Sequence, residues 1–376
     1  MVLRLSLPHL DETAIAAAAD VLRSGMLVHG TQGNAFEAEL LQWLGVKHAV
    51  LVSSGTAALH LALLALDIGP GDAVLVPDFT FPATANVVLL AGATPVLVDV
   101  DAHSYCATPA ALEAAIAAWR GPQRLRAIMP VHEFGHPVDM GALRAVAQRH
   151  GLKMVEDAAC AIGAREGGAF TGTRGDIGCF SLHPRKTLST GEGGILTTND
   201  DALAARLRRL RSHGIERGPA GMDFVEPGFN YRLTDFQAAI GRTQLPHLAG
   251  WIDARRALAA RYREALAPLE RAGLLSLPAD HPGHSWQTFM VVLADGIDRA
   301  AIIRALSERG IEANLGAQCV SAQPAFAAFV PPGGSPNANR LFRQGLALPF
   351  CEQYGAAEVD TVSRALAELL ETARAR

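Results

Sequence analysis

The chain has 376 residues, 49% hydrophobic and 19% charged, enough to bury substantial cores and too apolar for a disordered polypeptide. Lys+Arg 33 against Asp+Glu 37 leaves a net charge of -4, which argues against a surface built around nucleic-acid phosphates. Cys106, Cys160, Cys179, Cys319 and Cys351 are scattered and odd in number without a CxxC pair, so neither a disulfide framework nor a zinc ribbon is expected.

The first residues meet Pro8, His9, Asp11 and Glu12 where a signal peptide needs an apolar run, and a cytoplasmic protein is expected. Asp11 caps a predicted helix ending near Gly25, and Asn34 caps another through Trp43. Short apolar strands then alternate with helices. The predicted order is strand 48–52, helix 56–66, strand 73–76, helix 82–91, strand 95–98, helix 109–119, strand 126–129, helix 139–150 and strand 152–156. Strands follow at 179–182 and 194–197, then a helix at 200–211. This alternation describes an α/β domain on a largely parallel sheet, with ligands gathering beyond the carboxyl ends of its strands. Two uncharged stretches, 49–66 and 79–98, contain polar turns and prolines that suit strand–turn–helix units better than membrane spans. The pattern changes after residue 245. Pro246 precedes an arginine-rich helix, 248–266, and a strand at 288–293, a helix at 299–309, a Pro/Gly turn at 331–336 and a terminal helix at 356–373 complete the chain. The expected division is a large α/β domain over 1–245, including the N-terminal helical segment, and a smaller α+β domain over 246–376.

The string His132-Glu133-Phe134-Gly135-His136 fits the H-E-x-x-H zinc pattern, which needs both histidines one turn apart on a helix. Pro130 before it, Gly135 within it and Pro137 after it read instead as a strand-to-helix loop. Glu156, a nominal third ligand, ends another strand, so no metal is assigned.

Three other strings carry chemistry. Ser53-Ser54-Gly55-Thr56 lies between a strand and a helix, where free N–H groups suit a phosphate or a plain Ser/Thr cap. Glu156-Asp157-Ala158-Ala159 ends a strand, where a buried carboxylate needs a partner. That partner is the start of the next helix or a protonated heterocyclic nitrogen. Lys47, Lys153 and Lys186 are the only lysines, and Lys186 alone precedes a Gly-rich turn, Thr190-Gly191-Glu192-Gly193-Gly194. The absent side chains leave space beside a ligand, and an amine there is either solvated or a Schiff-base former able to shuttle protons.

A phosphate nest, an acid for a pyridine nitrogen and a Schiff-base lysine are together what pyridoxal phosphate requires. The chain also contains Val28-His29-Gly30, Gly69-Pro70-Gly71-Asp72, Pro77-Asp78-Phe79-Thr80-Phe81 and Gly228-Phe229-Asn230-Tyr231-Arg232 in that order. Over almost its whole length it resembles a fold-type I pyridoxal-phosphate enzyme, and more closely the DegT/DnrJ/StrS nucleotide-sugar aminotransferases.

The resemblance implies that Lys186 forms the Schiff base, Asp157 pairs with the pyridine nitrogen and Phe81 stacks on the ring. Ser54, Gly55, Thr56 and Ser181 then hold the cofactor phosphate, and Asn230 reaches it from the neighbouring subunit of a homodimer with shared active sites. His183 and Tyr231 are placed toward substrate. Cys160 stands where relatives often carry His or Gln, and is either a weak contact to the cofactor hydroxyl or core packing.

The implied reaction moves an amino group from L-glutamate to a nucleotide-linked keto-sugar, a 4-keto-6-deoxyhexose leading the acceptor classes. A keto-cyclitol aminotransferase, a pyridoxal-phosphate-dependent sugar dehydratase and a non-catalytic sensor are the alternatives. Dehydrating members replace the lysine with histidine, and a sensor is expected to lose Lys186 or Asp157; both are present. Substrate choice is assigned to the loops 212–226 and 316–329. Neither nucleic acid nor a membrane is an expected partner.

Overall fold

The computed structural model describes residues 2–218 and 221–374; Met1, Pro219, Ala220, Ala375 and Arg376, which fall in the 212–226 loop and the two expected domains, lie outside the described residues. Seven strands form one sheet: β1 (His48–Val52), β2 (Asp72–Pro77), β3 (Thr94–Val98), β4 (Arg124–Ile128), β5 (Lys153–Asp157), β6 (Ile177–Ser181) and β7 (Gly194–Thr198). Their order is β1-β7-β6-β5-β4-β2-β3. Neighbours from β6 to β3 are parallel, and β7 alone is reversed, antiparallel to both β6 and β1.

Helices α1 (Glu12–Ser24) and α2 (Thr31–Leu44) precede the sheet, α3 (Gly55–Ala65), α4 (Ala83–Leu90), α5 (Pro109–Ala118) and α6 (Met140–His150) cross between its strands, and α7 (Asp201–Arg211) follows its last strand. Successive side chains of a strand face opposite sides, so both faces must be covered. On β2, Val74 and Val76 pack in one core with α3, α4 and α7, while Ala73 and Leu75 pack in another with α5 and α6. This two-sided burial explains why the strands read as continuous apolar runs.

The expected Asn34 cap is corrected by the structure: α2 begins three residues earlier, and Asn34 lies within its first turn. Asp235 displaces it, accepting from Gly30 N at 2.7 Å and Gln32 N at 3.0 Å. A carboxylate brought from far along the chain thus supplies the cap. Helix α8 (Asp235–Gln244), absent from the sequence-based element order, carries a Thr234/Gln237 capping box.

Helix α9 (Leu248–Arg271) runs through Pro268, past the predicted end at 266, although the proline has no N–H to continue the helical ladder there. Then α10 (Arg299–Glu308), α11 (Pro336–Gln344) and α12 (Ala356–Arg374) accompany an antiparallel sheet of β8 (Leu275–Ser276), β9 (Phe289–Leu293) and β10 (Gly345–Leu348). Tyr262, Phe289, Leu306 and Leu366 are among its core residues, joined by Leu3 from the chain start. The 331–336 turn leads directly into α11, whose first N–H groups, Asn337 and Ala338, reach Asp99 just beyond β3.

Candidate active site

The reversal of β7 places its first residue, Gly194, opposite Val52 at the end of β1 and Ser181 at the end of β6. The loops after β1, β2, β4, β5 and β6 therefore open at one edge of the sheet, where α/β folds bind ligands. Ser54, Glu133, Asp157 and Lys186 all arise there.

Ser54 is the N-cap of α3, its Oγ accepting from Ala57 N at 3.0 Å. Ala58 N bonds Ser54 O at 3.0 Å, so the helical ladder begins there and the N–H groups of Gly55 and Thr56 point out of the helix start. A β-carbon on Gly55 would stand 2.8 Å from Ser181 Cβ. The absent side chain lets α3 begin against the end of β6. Gly194 serves the same seam: its β-carbon would lie 2.3 Å from Ser54 O. The expected ligand space beside the Gly-rich turn is thus corrected at this position, because Gly194 accommodates the Ser54 backbone itself.

Asp157 ends β5 and is 3% exposed. Its Oδ2 accepts from Thr84 Oγ1 at 2.8 Å and its Oδ1 from Ala159 N at 3.1 Å. Burial pushes its pKa up, opposed by these hydrogen bonds and by the charge of Lys186. A protonated ring nitrogen would supply the close cationic partner such a carboxylate needs. Phe81, 71% exposed, presents a bare aromatic face three residues before Thr84.

The Lys186 loop leaves β6 at Ser181 and is folded back on Leu182, whose carbonyl accepts from Thr190 N at 3.0 Å and Ser189 Oγ at 3.0 Å. Lys186 is half-buried, and its Nζ donates to Cys160 Sγ at 2.8 Å. Cys160 thus contacts the amine; burial holds its thiol above the ordinary range and keeps it protonated. His183 is half-buried with its Nδ1 accepting from Arg185 N at 3.2 Å, and burial lowers its pKa.

Asn230 and Tyr231 lie in the segment that leads into α8. Tyr231 stacks on Phe229 at 4.8 Å and its hydroxyl meets His60 Nδ1 at 3.4 Å, while its carbonyl takes Ser53 N at 2.7 Å. Its side chain is engaged in packing on α3, and its backbone braces the 53–56 loop. Asn230 is exposed, its backbone bridged to Ser212.

The H-E-x-x-H string is not a helix. Glu133–Gly135 form a single 3-10 turn with Phe134 at φ 55°, and His132 is fully buried with both ring nitrogens engaged, by Glu156 Oε2 at 3.0 Å and Val138 N at 3.1 Å. Glu156 in turn accepts from Gly172 N at 2.7 Å and Arg174 N at 2.6 Å. These groups buttress β5. Sequence reading missed Thr84, which holds Asp157, and Gln287, whose Nε2 donates to Arg185 O at 2.7 Å beside Lys186. It also missed Glu133 as an acid of this site. Thr84 lies in the predicted helix 82–91, just after the Pro77–Phe81 string, and nothing in that spacing points to Asp157.

The residues fit pyridoxal phosphate: a helix start with outward N–H groups, a buried acid short of a cation, an exposed aromatic face and an amine converge on one edge. Comparison with known proteins agrees. A model described as the DegT/DnrJ/EryC1/StrS aminotransferase family matches residues 8–367. DesV from S. venezuelae is 39% identical, with a TM-score of 0.86 over 98% of this chain and 99% of that chain. A DegT DnrJ EryC1 StrS aminotransferase from Brucella abortus is 35% identical, with a TM-score of 0.88 over 95% of each chain. The PLP form of Spr1654 from Streptococcus pneumoniae is 26% identical, with a TM-score of 0.91 over 99% of this chain and 100% of that chain. With its site geometry and nearly its full length in agreement, the chain belongs to the DegT/DnrJ/EryC1/StrS aminotransferase family and is an enzyme whose cofactor is pyridoxal phosphate.

Proposed function

We propose that this enzyme moves the amino group of L-glutamate to a keto-sugar carried on a nucleoside diphosphate, with a 4-keto-6-deoxyhexose as the acceptor class. The observation that carries the amino-transfer reading is the amine of Lys186 at the same sheet edge as the buried carboxylate of Asp157. The sugar acceptor is supported by relatives, Spr1654 being provisionally described as a sugar aminotransferase.

Bound pyridoxal phosphate supplies an aldehyde for Schiff-base formation and a ring that accepts electron density. Asp157 holds a proton at the ring nitrogen, and its own charge is compensated there. The N–H groups of Gly55 and Thr56, with Ser54 and Ser181, hold the phosphate at the positive start of α3. Phe81 covers the ring face and Cys160 stays beside Lys186. Freed by the donor's amine, Lys186 Nζ would take the donor's Cα proton as a base and deliver it as an acid to the carbon that had been the cofactor's aldehyde, and would run the same transfer in reverse for the acceptor. His183 lines the acceptor side of the loop. In this reading two copies share their sites, Asn230 of each completing the other's phosphate seat. The exposed Met26, Val28 and Phe224 provide apolar surface for that association.

The test is spectroscopic and chemical. Loaded protein should absorb in the visible, and Lys186→Ala should abolish the lysine-linked band; an unchanged spectrum would reject the assignment of Lys186. Glutamate alone should yield 2-oxoglutarate and leave the cofactor in its amine form. Product NMR on a panel of nucleotide-linked keto-sugars and keto-cyclitols then identifies the acceptor, and turnover of keto-cyclitols alone would overturn the sugar assignment.

A further inference from the structure

The site holds a second acid that no motif assigned. Glu133 follows the point where the chain leaving β4 pairs with the end of β5: Val131 bridges Asp157, and His132 N donates to Asp157 O at 3.0 Å. Phe134 at φ 55° and Gly135 at φ 93° then turn the chain sharply, leaving Glu133 4% exposed. The same turn is pressed against the residue that touches the amine. A β-carbon on Gly135 would lie 3.1 Å from Cys160 O, and Cys160 Sγ is 2.8 Å from Lys186 Nζ.

We propose that Glu133 is an electrostatic positioning residue that governs the charge carried by the Lys186 nitrogen. This rests on the reading of Lys186 as the cofactor-linked lysine.

Among the groups facing Glu133, Lys186 is the cation, Asp157 is an acid, and the thiols of Cys106 and Cys160 feel its charge. Burial, reinforced by Asp157, pushes the Glu133 carboxyl up to about 8, while the Lys186 charge and the Thr80 hydroxyl pull against that rise. Coupling between two charges is mutual, so an ionised Glu133 favours a protonated Lys186 nitrogen by the same free energy. Asp157 is committed to the ring nitrogen. Glu133 is therefore the acid free to follow the amine. A neutral glutamine keeps the shape and removes the charge.

The experiment is a pH titration of the visible band of the loaded enzyme without substrates. In Glu133→Gln the midpoint should fall by about one pH unit, the size of a nearby-charge effect, and Glu133→Asp should restore part of it. A packing role would leave the midpoint in place; an unchanged midpoint in a Gln variant that retains cofactor overturns the proposal. Should that variant lose cofactor, the unsubstituted apoprotein answers the question. The pH profile of reductive methylation at Lys186, read by mass spectrometry, should be broadened by the second group, and a single-proton curve overturns the proposal. Absence of any visible band from the loaded parent protein would instead remove the lysine reading beneath it.

Discussion

A methyl group on Gly55 would meet Ser181 Cβ at 2.8 Å and its Oγ at 3.2 Å, both on a strand with no slack. Gly55→Ala must therefore push the start of α3 away from the end of β6. Overpacking of this kind costs about 1–3 kcal/mol. Because the displaced N–H groups belong to the proposed phosphate seat, we expect cofactor affinity to fall about 5- to 150-fold. Fluorescence titration of apoprotein with pyridoxal phosphate measures it; unchanged affinity would place the phosphate elsewhere. Asp157 and Glu133 show the other side of residue-scale control. Both are buried acids that burial raises: at Asp157 the hydrogen bonds from Ala159 and Thr84 oppose the rise, and at Glu133, raised to about 8, the Lys186 charge and the Thr80 hydroxyl oppose it.

Elements here are completed by distant partners. Asp235 caps α2, Asp99 receives the start of α11, and Gln287 holds the Lys186 loop. The segment 281–287 is the tightest such case. Its backbone pairs with the Glu133 turn through Ser285 N to Gly135 O at 3.1 Å and Gln287 N to Phe134 O at 2.8 Å, with Trp286 at φ 52°. His284 stacks on Trp286 at 3.8 Å, and His136 lies 5.3 Å from His284 and 5.4 Å from His281. Burial first, then the neighbouring His281, lowers His136 to about 4, and burial, then His136, holds His284 well below the ordinary histidine range. Unfolded histidine titrates near 6.5, so between about pH 6.5 and 4 the unfolded chain binds more protons than the native one. Stability is thus fully present above that window and is lost as pH falls through it. Thermal melts at pH 7.5 and pH 5 should show a lower Tm in acid, and His136→Gln should shrink the difference; an equal difference in the variant would assign it to other groups.

Across the whole molecule, segments flanking the C-terminal sheet are tied to the edge that carries Lys186 and Asp157 at several points. Phe79–Thr80 pair with Gln318–Cys319, Asp78 accepts from Ser321 N and Oγ at 2.6 Å each, and Gln287 reaches Arg185 O. Arg255 on α9 anchors this junction. It is 1% exposed, bonds the Trp286 and Gln287 carbonyls at 3.2 Å each and pairs with Glu352 at 2.8 Å. Glu352→Gln leaves a buried guanidinium without its counter-charge, a change that costs about 3–5 kcal/mol. The midpoint of urea denaturation should fall accordingly. Loosening at Gln287 should also raise the rate of cofactor loss; a full-strength midpoint would show that the Trp286 and Gln287 carbonyls suffice for Arg255.

Local chemistry by itself was enough for the α/β class, since apolar strands, turn residues and near caps such as Asp11 and Asp139 involve neighbours along the chain. The strings around Lys186 and Asp157 were legible for the same reason. The α8 helix was legible too, through its Thr234/Gln237 box, but was missed. Only the folded chain decided that Thr84, 73 residues from Asp157, would hold that acid, that Asp235 would displace Asn34 as a cap, and that Glu133 would lie buried in the turn pressed against Cys160. Sheet order and the reversal of β7 bring those groups together. Spacing along a strand or helix records which face a residue occupies, but the group buried opposite it is chosen by which elements pack there.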